Sequence, residues 1–231
     1  AFGSIHPGWE KNDILKKVVV KIPREAREQD ARVQEAKCQR KLKDHENIVT
    51  LYSYYLCAES DDDAQLILVL EYCNGGNLRD FIEKKGGRGR LRQKVITKYL
   101  LPQLKAGYKA MYDKNIVHRD IKLENIFLSH PEDAENPDSD EITFKYGDFG
   151  FARCVDGHDV ARATCGTPRY YAPEILRAAR NPGSERLRYR HKPDMWAIGV
   201  VLWFCLKGEF PFHSRRIPSY LFQSVVSNHC G

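Results

Sequence analysis

The chain has 231 residues, of which 42% are hydrophobic and 29% charged, enough apolar material for one large folded unit or two lobes sharing a cleft. Its formal net charge is +6, but the basic runs at 88–94 and 177–192 lack the interleaved aromatic residues of a base-stacking surface, so no nucleic-acid partner is expected. The seven cysteines show no zinc-like spacing and no signal segment opens the chain; we expect a reducing, cytoplasmic location with at most peripheral membrane association.

The first part of the chain is predicted to alternate strands with one helix. A β-branched run at 18–22 indicates a buried strand, and the charged stretch 24–43 is typical of an exposed helix resting on one face. The segments 47–56 and 66–71 are again strand-like. The sequence Asn-Gly-Gly-Asn at 74–77 then breaks the pattern and indicates a linker.

The rest of the chain is predicted to be mainly helical. Helices are expected at 77–85 and 93–114, and Pro102 should kink the second or remove one of its hydrogen bonds. Two short strands, 125–128 and 142–145, flank a segment rich in Asp, Glu and Pro that favours a flexible insertion.

These elements predict an α+β fold with two lobes. A small β-rich lobe with one helix is expected at 1–72, a hinge at 73–77 and a larger, mainly helical lobe at 78–231. The apolar run 195–206 is too short to span a bilayer, so a buried helix is expected there.

The strongest chemical signal is the catalytic loop, the run His-Arg-Asp-Ile-Lys-Leu-Glu-Asn at 118–125. Phosphoryl transfer to a hydroxyl needs a carboxylate near the attacking oxygen, neutralisation of charge and metal ligands. The run resembles the H-R-D-x-x-x-x-N catalytic loop of protein kinases at every defining position. That resemblance implies that Asp120 would accept or orient the hydroxyl proton, Lys122 would neutralise charge on the phosphoryl group, and Asn125 would hold Mg²⁺. A mixed-charge surface loop is the alternative, but a match in this detail seldom arises by chance.

A second metal ligand is predicted in the turn Asp148-Phe149-Gly150, called here the DFG turn. Three residues alone are weak evidence, since this tripeptide occurs in many unrelated turns. Its position after the catalytic loop and before Ala172-Pro173-Glu174 strengthens the interpretation. Asp148 is therefore expected to coordinate the Mg²⁺ that bridges the nucleotide phosphates.

The phosphates of ATP are predicted to meet Lys21, which lies near the end of the strand at 18–22. A helix glutamate should hold Lys21 in place; Glu35 is the candidate and Glu28 the alternative, while either could instead be a solvated helix charge. The first residues look like the end of a glycine-rich loop that covers phosphates. Gly3 would be its last glycine, and Ile5 would press on the adenine ring.

These motifs resemble those of the eukaryotic protein kinases over essentially the whole chain. Lys122 and the segment Gly-Thr-Pro-Arg-Tyr at 166–170 resemble the serine/threonine branch, in which Thr167 hydrogen-bonds toward Asp120 and the lysine. The resemblance implies ATP and Mg²⁺ as cofactors and protein substrates with Ser or Thr acceptors. Asp194 matches a helix start that supports the catalytic loop from below, a structural role.

In such kinases, backbone groups of the hinge form hydrogen bonds with adenine. The resemblance places Leu70 at the gatekeeper position and assigns the adenine hydrogen bonds to the Glu71 carbonyl and the Cys73 amide. Asn77 would then reach the ribose. A strand end followed by a turn is equally true of this segment, because the contacts come from the backbone.

A closer resemblance is to the autophagy-initiating, unc-fifty-one-like kinases, carried by the hinge EYCNGGNL, the segment DFGFAR and the insertion after Leu128. A calcium/calmodulin-related signalling kinase is the rival. A pseudokinase scaffold is a second class of function, but Lys21, Asp120, Asn125 and Asp148 are all intact. A small-molecule phosphotransferase is disfavoured by the complete segment ending in Ala-Pro-Glu.

Three departures from the family pattern lead to further expectations. The usual phosphorylated threonine is replaced by Ala163, with Thr164 one place later, which puts activation by loop phosphorylation in doubt. Gly147 is expected to add backbone freedom beside a metal ligand. The domain is expected to be truncated at both ends, so that Glu174 lacks the arginine that the last helices would supply.

Overall fold

The computed structural model describes residues 4–10, 13–23, 29–57, 65–85, 89–131, 140–155, 165–180 and 190–212. They form two lobes, a β-sheet with one helix and a mainly helical part, as the α+β prediction requires. Gly3, Glu28, Ala163 and Thr164 lie outside the described residues, as does most of the acidic insertion.

The first lobe is built on a four-stranded antiparallel sheet whose strand order is β1-β2-β4-β3. Its strands are β1 (Ser4–Glu10), β2 (Asp13–Ile22), β3 (Leu51–Cys57) and β4 (Gln65–Glu71). In the central strand β4, Leu66, Leu68 and Leu70 are buried and alternate with half-exposed residues. Strand β1 was not predicted; it lies at the sheet edge, where Pro7 is tolerated in a strand.

The helix of this lobe, α1, is described over Gln29–Lys41; it ends two residues before the predicted 24–43 does, and residues 24–28 lie outside the described part of the chain. Its buried face is unusually polar, since Arg32, Glu35 and Gln39 lie there together with Ala36 and Cys38. Buried charges require partners close by. The inward face of α1 therefore differs from an ordinary apolar core face, because its charged residues need partners from neighbouring elements.

The second lobe contains helices where they were predicted, at 77–85, 93–114 and 195–206, and one more, at 173–180, that was not predicted. They are α2 (Leu78–Lys85), α3 (Gln93–Val95), α4 (Leu101–Asp113), α5 (Pro173–Arg180) and α6 (Lys192–Lys207). Buried apolar residues of α2, α4 and α6 share one large hydrophobic cluster with Phe149 of the DFG turn. Helix α6 is a core helix, and none of the described helices is long and apolar enough to cross a bilayer.

The structure shows how the chain accommodates Pro102. Between α3 and α4 the helix widens into a π-helical turn, Ile96–Leu100, in which the N–H of Leu101 donates to the carbonyl of Ile96. A proline has no N–H to donate and collides with the preceding turn of a regular helix. The wider turn next to Pro102 is a common way to absorb such a residue.

Two short antiparallel ladders hold the site segments in place. Strand β5 (Ile116–Val117) pairs with β8 (Arg153–Cys154), and β6 (Ile126–Ser129) pairs with β7 (Thr143–Tyr146). The catalytic loop joins β5 to β6, and the DFG turn joins β7 to β8. The two ladders thus bring two segments that are distant in sequence to one edge of the second lobe.

Candidate active site

The catalytic loop is anchored from below by Asp194 in the first turn of α6. The backbone N–H of His118 donates to its Oδ2 at 2.7 Å, and that of Arg119 to its Oδ1 at 2.9 Å. Burial raises the pKa of Asp194, although these two donors favour its charged form. Arg119 adopts a left-handed φ of 69°, which orients the loop and which few non-glycine residues adopt. The expected structural role of Asp194 agrees with these contacts.

His118 connects the catalytic loop to the DFG turn. Its ring is fully buried and packs on Phe149, with 4.7 Å between ring centroids. Nδ1 accepts the N–H of Asp120 at 3.3 Å, so we assign the ring proton to Nε2, which lies 3.1 Å from the Gly147 carbonyl. A shift of either segment would therefore disturb the other.

Asp120, Lys122 and Thr167 form a closed triangle of contacts. The Thr167 hydroxyl donates to Asp120 Oδ1 at 2.8 Å, and Lys122 Nζ donates to the Thr167 hydroxyl at 3.1 Å. Lys122 Nζ also lies 2.8 Å from Asp120 Oδ2. The carboxylate predicted to receive the hydroxyl proton is thus fixed in orientation, and the lysine predicted to neutralise phosphoryl charge lies beside it.

Asn125 and Asp148 provide the atoms that suit Mg²⁺. The amide nitrogen of Asn125 donates to the Asp120 carbonyl at 2.9 Å and to Asp120 Oδ2 at 3.0 Å, so its oxygen is the atom left for a metal. Within the described part of the chain, no group of three or more His, Cys, Asp or Glu side chains forms a complete metal cage. One carboxylate and one amide oxygen suit Mg²⁺, which takes its remaining ligands from water and phosphates.

A buried chain of charges runs from α1 to the DFG turn. Lys21 Nζ lies 2.7 Å from Glu35 Oε1 and 2.7 Å from Asp148 Oδ1. Arg32 Nη1 lies 2.9 Å from the other oxygen, Glu35 Oε2. Glu35 is thus placed as predicted, whereas Arg32 was missed. The signal for Arg32 was its position three residues before Glu35, on the same helix face.

The protonation of this chain follows from its charges. Burial alone would lower the pKa of Lys21, but the carboxylates of Glu35 and Asp148 outweigh it and raise that pKa above its ordinary value. Burial likewise opposes ionisation of Asp148, but the Lys21 ammonium holds the pKa of this carboxyl well below its ordinary value. Both groups are therefore charged at neutral pH.

Gly147 contributes in a different way from the one predicted. Its φ is not positive, so the expected backbone freedom is not used. Instead the site lacks space: a Cβ at this position would lie 2.7 Å from the Phe127 ring and 2.9 Å from Val49 Cγ2. Gly147 is required because the chain passes close to these neighbours before it reaches Asp148.

The nucleotide end of the site is only partly described. Ile5 lies in β1 opposite Lys21 and is 56% exposed, so it is available to a ligand. Leu70 is buried at the end of β4, and Cys73 is buried just after it, which raises the pKa of the thiol to about 12.

Two predicted hinge residues already have partners of their own. The Glu71 carboxylate pairs with Lys145 at 2.9 Å and accepts the Thr50 N–H at 3.0 Å, which fixes the start of the hinge. Asn77 caps α2, because its Oδ1 accepts the N–H of Asp80 at 3.0 Å. Contact of Asn77 with a ribose stays a prediction, and one that must be compatible with this cap.

Residues 1–227 match the family described as protein kinase domain. Human serine/threonine-protein kinase ULK1 is 37% identical over 181 residues, 78% of this chain and 15% of that protein. Serine/threonine-protein kinase unc-51 of Caenorhabditis elegans is 36% identical over 174 residues, 75% of this chain and 18% of that protein.

Two further relatives come from Dictyostelium discoideum. Serine/threonine-protein kinase atg1 is 35% identical over 179 residues, 78% of this chain and 24% of that protein. A probable myosin light chain kinase is 36% identical over 184 residues, 80% of this chain and 52% of that protein. The chain thus spans only a minor part of the ULK1, unc-51 and atg1 proteins that it matches.

Proposed function

We propose, from the premise that this chain belongs to the protein kinase family, that its protein transfers the γ-phosphate of ATP to serine and threonine hydroxyls of protein substrates. The family match, and the similarity of this chain to ULK1, unc-51 and atg1, agree with the resemblance that the motifs indicated. The observation that carries the proposal is the triangle of Asp120, Lys122 and Thr167, because it joins a proton acceptor to a cation at the serine/threonine-type segment.

The residues of the chain divide the work of phosphoryl transfer. Asp120 orients the acceptor hydroxyl and receives its proton, while Lys122 balances negative charge on the transferred group. Lys21, held by Glu35, binds the α- and β-phosphates. Asn125 and Asp148 would hold Mg²⁺, which when bound neutralises charge on the phosphate oxygens. Because every one of these groups is intact and in contact with another, the geometry favours an enzyme over a pseudokinase scaffold.

Substitution of Asp148 tests the proposal. Asp148→Ala in the full-length protein removes a predicted metal ligand and should reduce transfer of ³²P from labelled ATP to a protein substrate by at least about 1,000-fold. Asp120→Asn should have a comparable effect while keeping the side-chain shape. Asp113→Asn, an exposed carboxylate in α4 that pairs only with Lys109 among the described residues, serves as the control. Unchanged transfer in the Asp148→Ala and Asp120→Asn proteins would exclude the mechanism.

We further propose that the kinase acts in the initiation of autophagy. The support is the likeness to the unc-fifty-one-like group in both motifs and overall identity. In cells that lack the protein, autophagic flux on starvation should fall, and wild type should restore it whereas Asp120→Asn should not. Restoration by the inactive variant would separate any autophagy role from phosphoryl transfer.

A calcium/calmodulin-related kinase is the second candidate, supported by the 36% identity to the probable myosin light chain kinase. Calcium-dependent retention of the full-length protein on immobilised calmodulin, lost with EGTA, would favour this reading. A cytoplasmic location is part of both proposals. It is supported by the six described cysteines, which form no disulfide with one another.

A further inference from the structure

Two cysteines from the two lobes meet beside the buried chain of charges. Cys38 Sγ in α1 lies 3.7 Å from Cys154 Sγ in β8. Cys38 is fully buried, and Cys154 is half-buried. Neither forms a disulfide in the structure. None of the chemistry derived above uses either of them.

Their position follows from the residues already assigned to the site. Cys38 lies three residues after Glu35, so both side chains are on the inward face of α1. The backbone of Cys154 is held by its pairing with Ile116, and the next residue, Val155, donates its N–H to the Asn115 carbonyl at 2.8 Å. The sulfur contact therefore links a helix of the first lobe to a fixed strand of the second.

We propose that Cys38 and Cys154 form a reversible disulfide when the protein encounters a peroxide. A disulfide has an S–S distance of about 2.05 Å, so the two sulfurs must approach by roughly 1.7 Å. Side-chain rotation and a small shift of α1 cover such a distance. The bond would join α1 to the segment that follows the DFG turn.

The reaction needs only the two thiols and hydrogen peroxide. The thiolate of Cys154 attacks one peroxide oxygen, the O–O bond breaks, and a sulfenic acid and the first water form. The sulfur of Cys38 then attacks the sulfenic sulfur, the S–O bond breaks, and the second water leaves with the thiol proton. Two thiols and one peroxide thus give one disulfide and two waters.

The two cysteines differ in solvent accessibility and in thiol pKa, and these differences decide which one reacts with the peroxide first. Cys154 is the partly accessible sulfur, so it meets the oxidant first. The hydrogen bond to Cys154 and burial together raise the pKa of the Cys38 thiol well above its ordinary value. Cys38 therefore stays protonated and protected until a sulfenic acid forms next to it.

The consequence for the site concerns the position of α1. Glu35 holds Lys21 only while α1 stays close to β2, and Lys21 in turn contacts Asp148 of the second lobe. A covalent bond one helical turn away would prevent α1 from moving outward, so the oxidised protein should keep the Lys21–Glu35 pair. This consequence rests on the proposed kinase function, whereas formation of the bond does not.

Mass spectrometry tests the bond directly. Full-length protein is treated with hydrogen peroxide, its remaining thiols are alkylated with N-ethylmaleimide, and it is digested with trypsin. The expected product joins the peptide CQR, residues 38–40, to CVDGHDVAR, residues 154–162. It should disappear on treatment with dithiothreitol before alkylation and be absent from Cys154→Ser, and Cys57→Ser is the matched control because Cys57 is exposed. Alkylated Cys38 together with free or overoxidised Cys154 in the treated wild type would overturn the proposal.

Thermal unfolding and kinetics test the consequence. The oxidised wild type should melt at least about 5 °C above the reduced protein, because the bond closes a long loop, and Cys154→Ser should show no such shift. Hydrogen exchange at the α1 amides should slow in parallel. Phosphate transfer should persist after oxidation with an unchanged or lower KM for ATP. A cross-linked protein that loses transfer while the reduced form is active would refute the α1 assignment, and absence of transfer in both forms would count against the kinase function instead.

Discussion

Single residues around Asp120 hold backbone conformations that side chains rarely adopt. Arg119 and Asp148 have left-handed φ values of 69° and 56°, and Gly166 has a φ of 101°. Such residues cost free energy unless their surroundings hold them in place, and they concentrate at functional sites. Here they turn the carboxylate of Asp120 toward Thr167 and that of Asp148 toward Lys21.

Gly166→Ala tests how much the site depends on this backbone. A Cβ at this position would collide with the Arg119 carbonyl oxygen, and its φ is strained for alanine. We expect a loss of at least ~2 kcal/mol in the free energy of unfolding and a fall of about 100-fold in kcat, because Thr167 would be displaced from Asp120. Urea denaturation and steady-state transfer assays measure the two effects.

The control for this substitution is Gly76→Ala. Gly76 also has a positive φ, 72°, but a Cβ there would meet nothing within 4 Å. Its cost should be limited to backbone strain, on the order of 1 kcal/mol. Equal effects of the two substitutions would show that the contact with Arg119 does not matter.

Residue types and their spacing predicted many of the individual residues of the candidate site. Lys21, Asp120, Asn125 and Asp148 could be found because their chemistry requires them in a fixed order along the chain. The structure brings Lys21 into contact with Asp148 and Asn125 into contact with Asp120. Arg32 was not singled out, because its position three residues before Glu35 is a weak signal: a charged residue on a helix is usually solvated. Only the close packing of α1 on the DFG turn makes it a buried partner of Glu35.

Helix α6 supports the catalytic loop, and His191 lies just before its first turn. Protonation of this histidine should make the stability of the protein depend on pH. The ring of His191 is packed against Tyr108 and Tyr112, and the charges of Asp194 and Arg190 act on its pKa in opposite directions. Its Nδ1 is buried and has no hydrogen-bond partner among the described residues. Burial lowers the pKa of His191, because the charged ring would be poorly solvated.

This lowered pKa predicts a loss of stability on the acid side. As pH falls through about 6.5, the unfolded chain takes up a proton at this histidine while the folded protein does not, so the free energy of unfolding decreases. His191→Gln removes the group, and the slope of stability against pH between about 7 and 5 should become shallower. Urea titrations of both proteins across this range measure it; parallel curves would exclude a role for His191.

At the level of elements, periodicity placed the helices and strands but not their local irregularities. The predicted strand at 47–56 begins only at Leu51, because residues 47–49 bond to the second lobe instead. The π-helical turn before Pro102 was foreseen only as a kink. Both depend on partners in the tertiary structure, and a local pattern does not contain them.

The two lobes are joined by more than the hinge. Asn47 accepts the N–H of Tyr146 at 2.9 Å, and Val49 donates to the carbonyl of Tyr146 at 2.8 Å. The Asn47 amide also donates to Gln103 Oε1 and to the Phe144 carbonyl, both at 3.0 Å. These hydrogen bonds hold the connection after α1 against β7 and α4. The connection therefore sets the distance between α1 and the DFG turn.

Asn47→Ala should weaken the attachment of this connection to the second lobe and lower the stability of the whole molecule. The buried Phe144 carbonyl would lose the Asn47 donor, and Gln103 Oε1 would lose one donor but keep the N–H of Phe144, so we expect a loss of about 2 kcal/mol in the free energy of unfolding. Since α1 would be held less firmly, its amides should exchange faster and the KM for ATP should rise. A double-mutant cycle with Gln103→Ala should give a coupling energy of at least about 0.5 kcal/mol, because the two side chains share a hydrogen bond. Additive effects, with α1 exchange no faster than the global loss of stability requires, would show that the hinge alone positions the lobes.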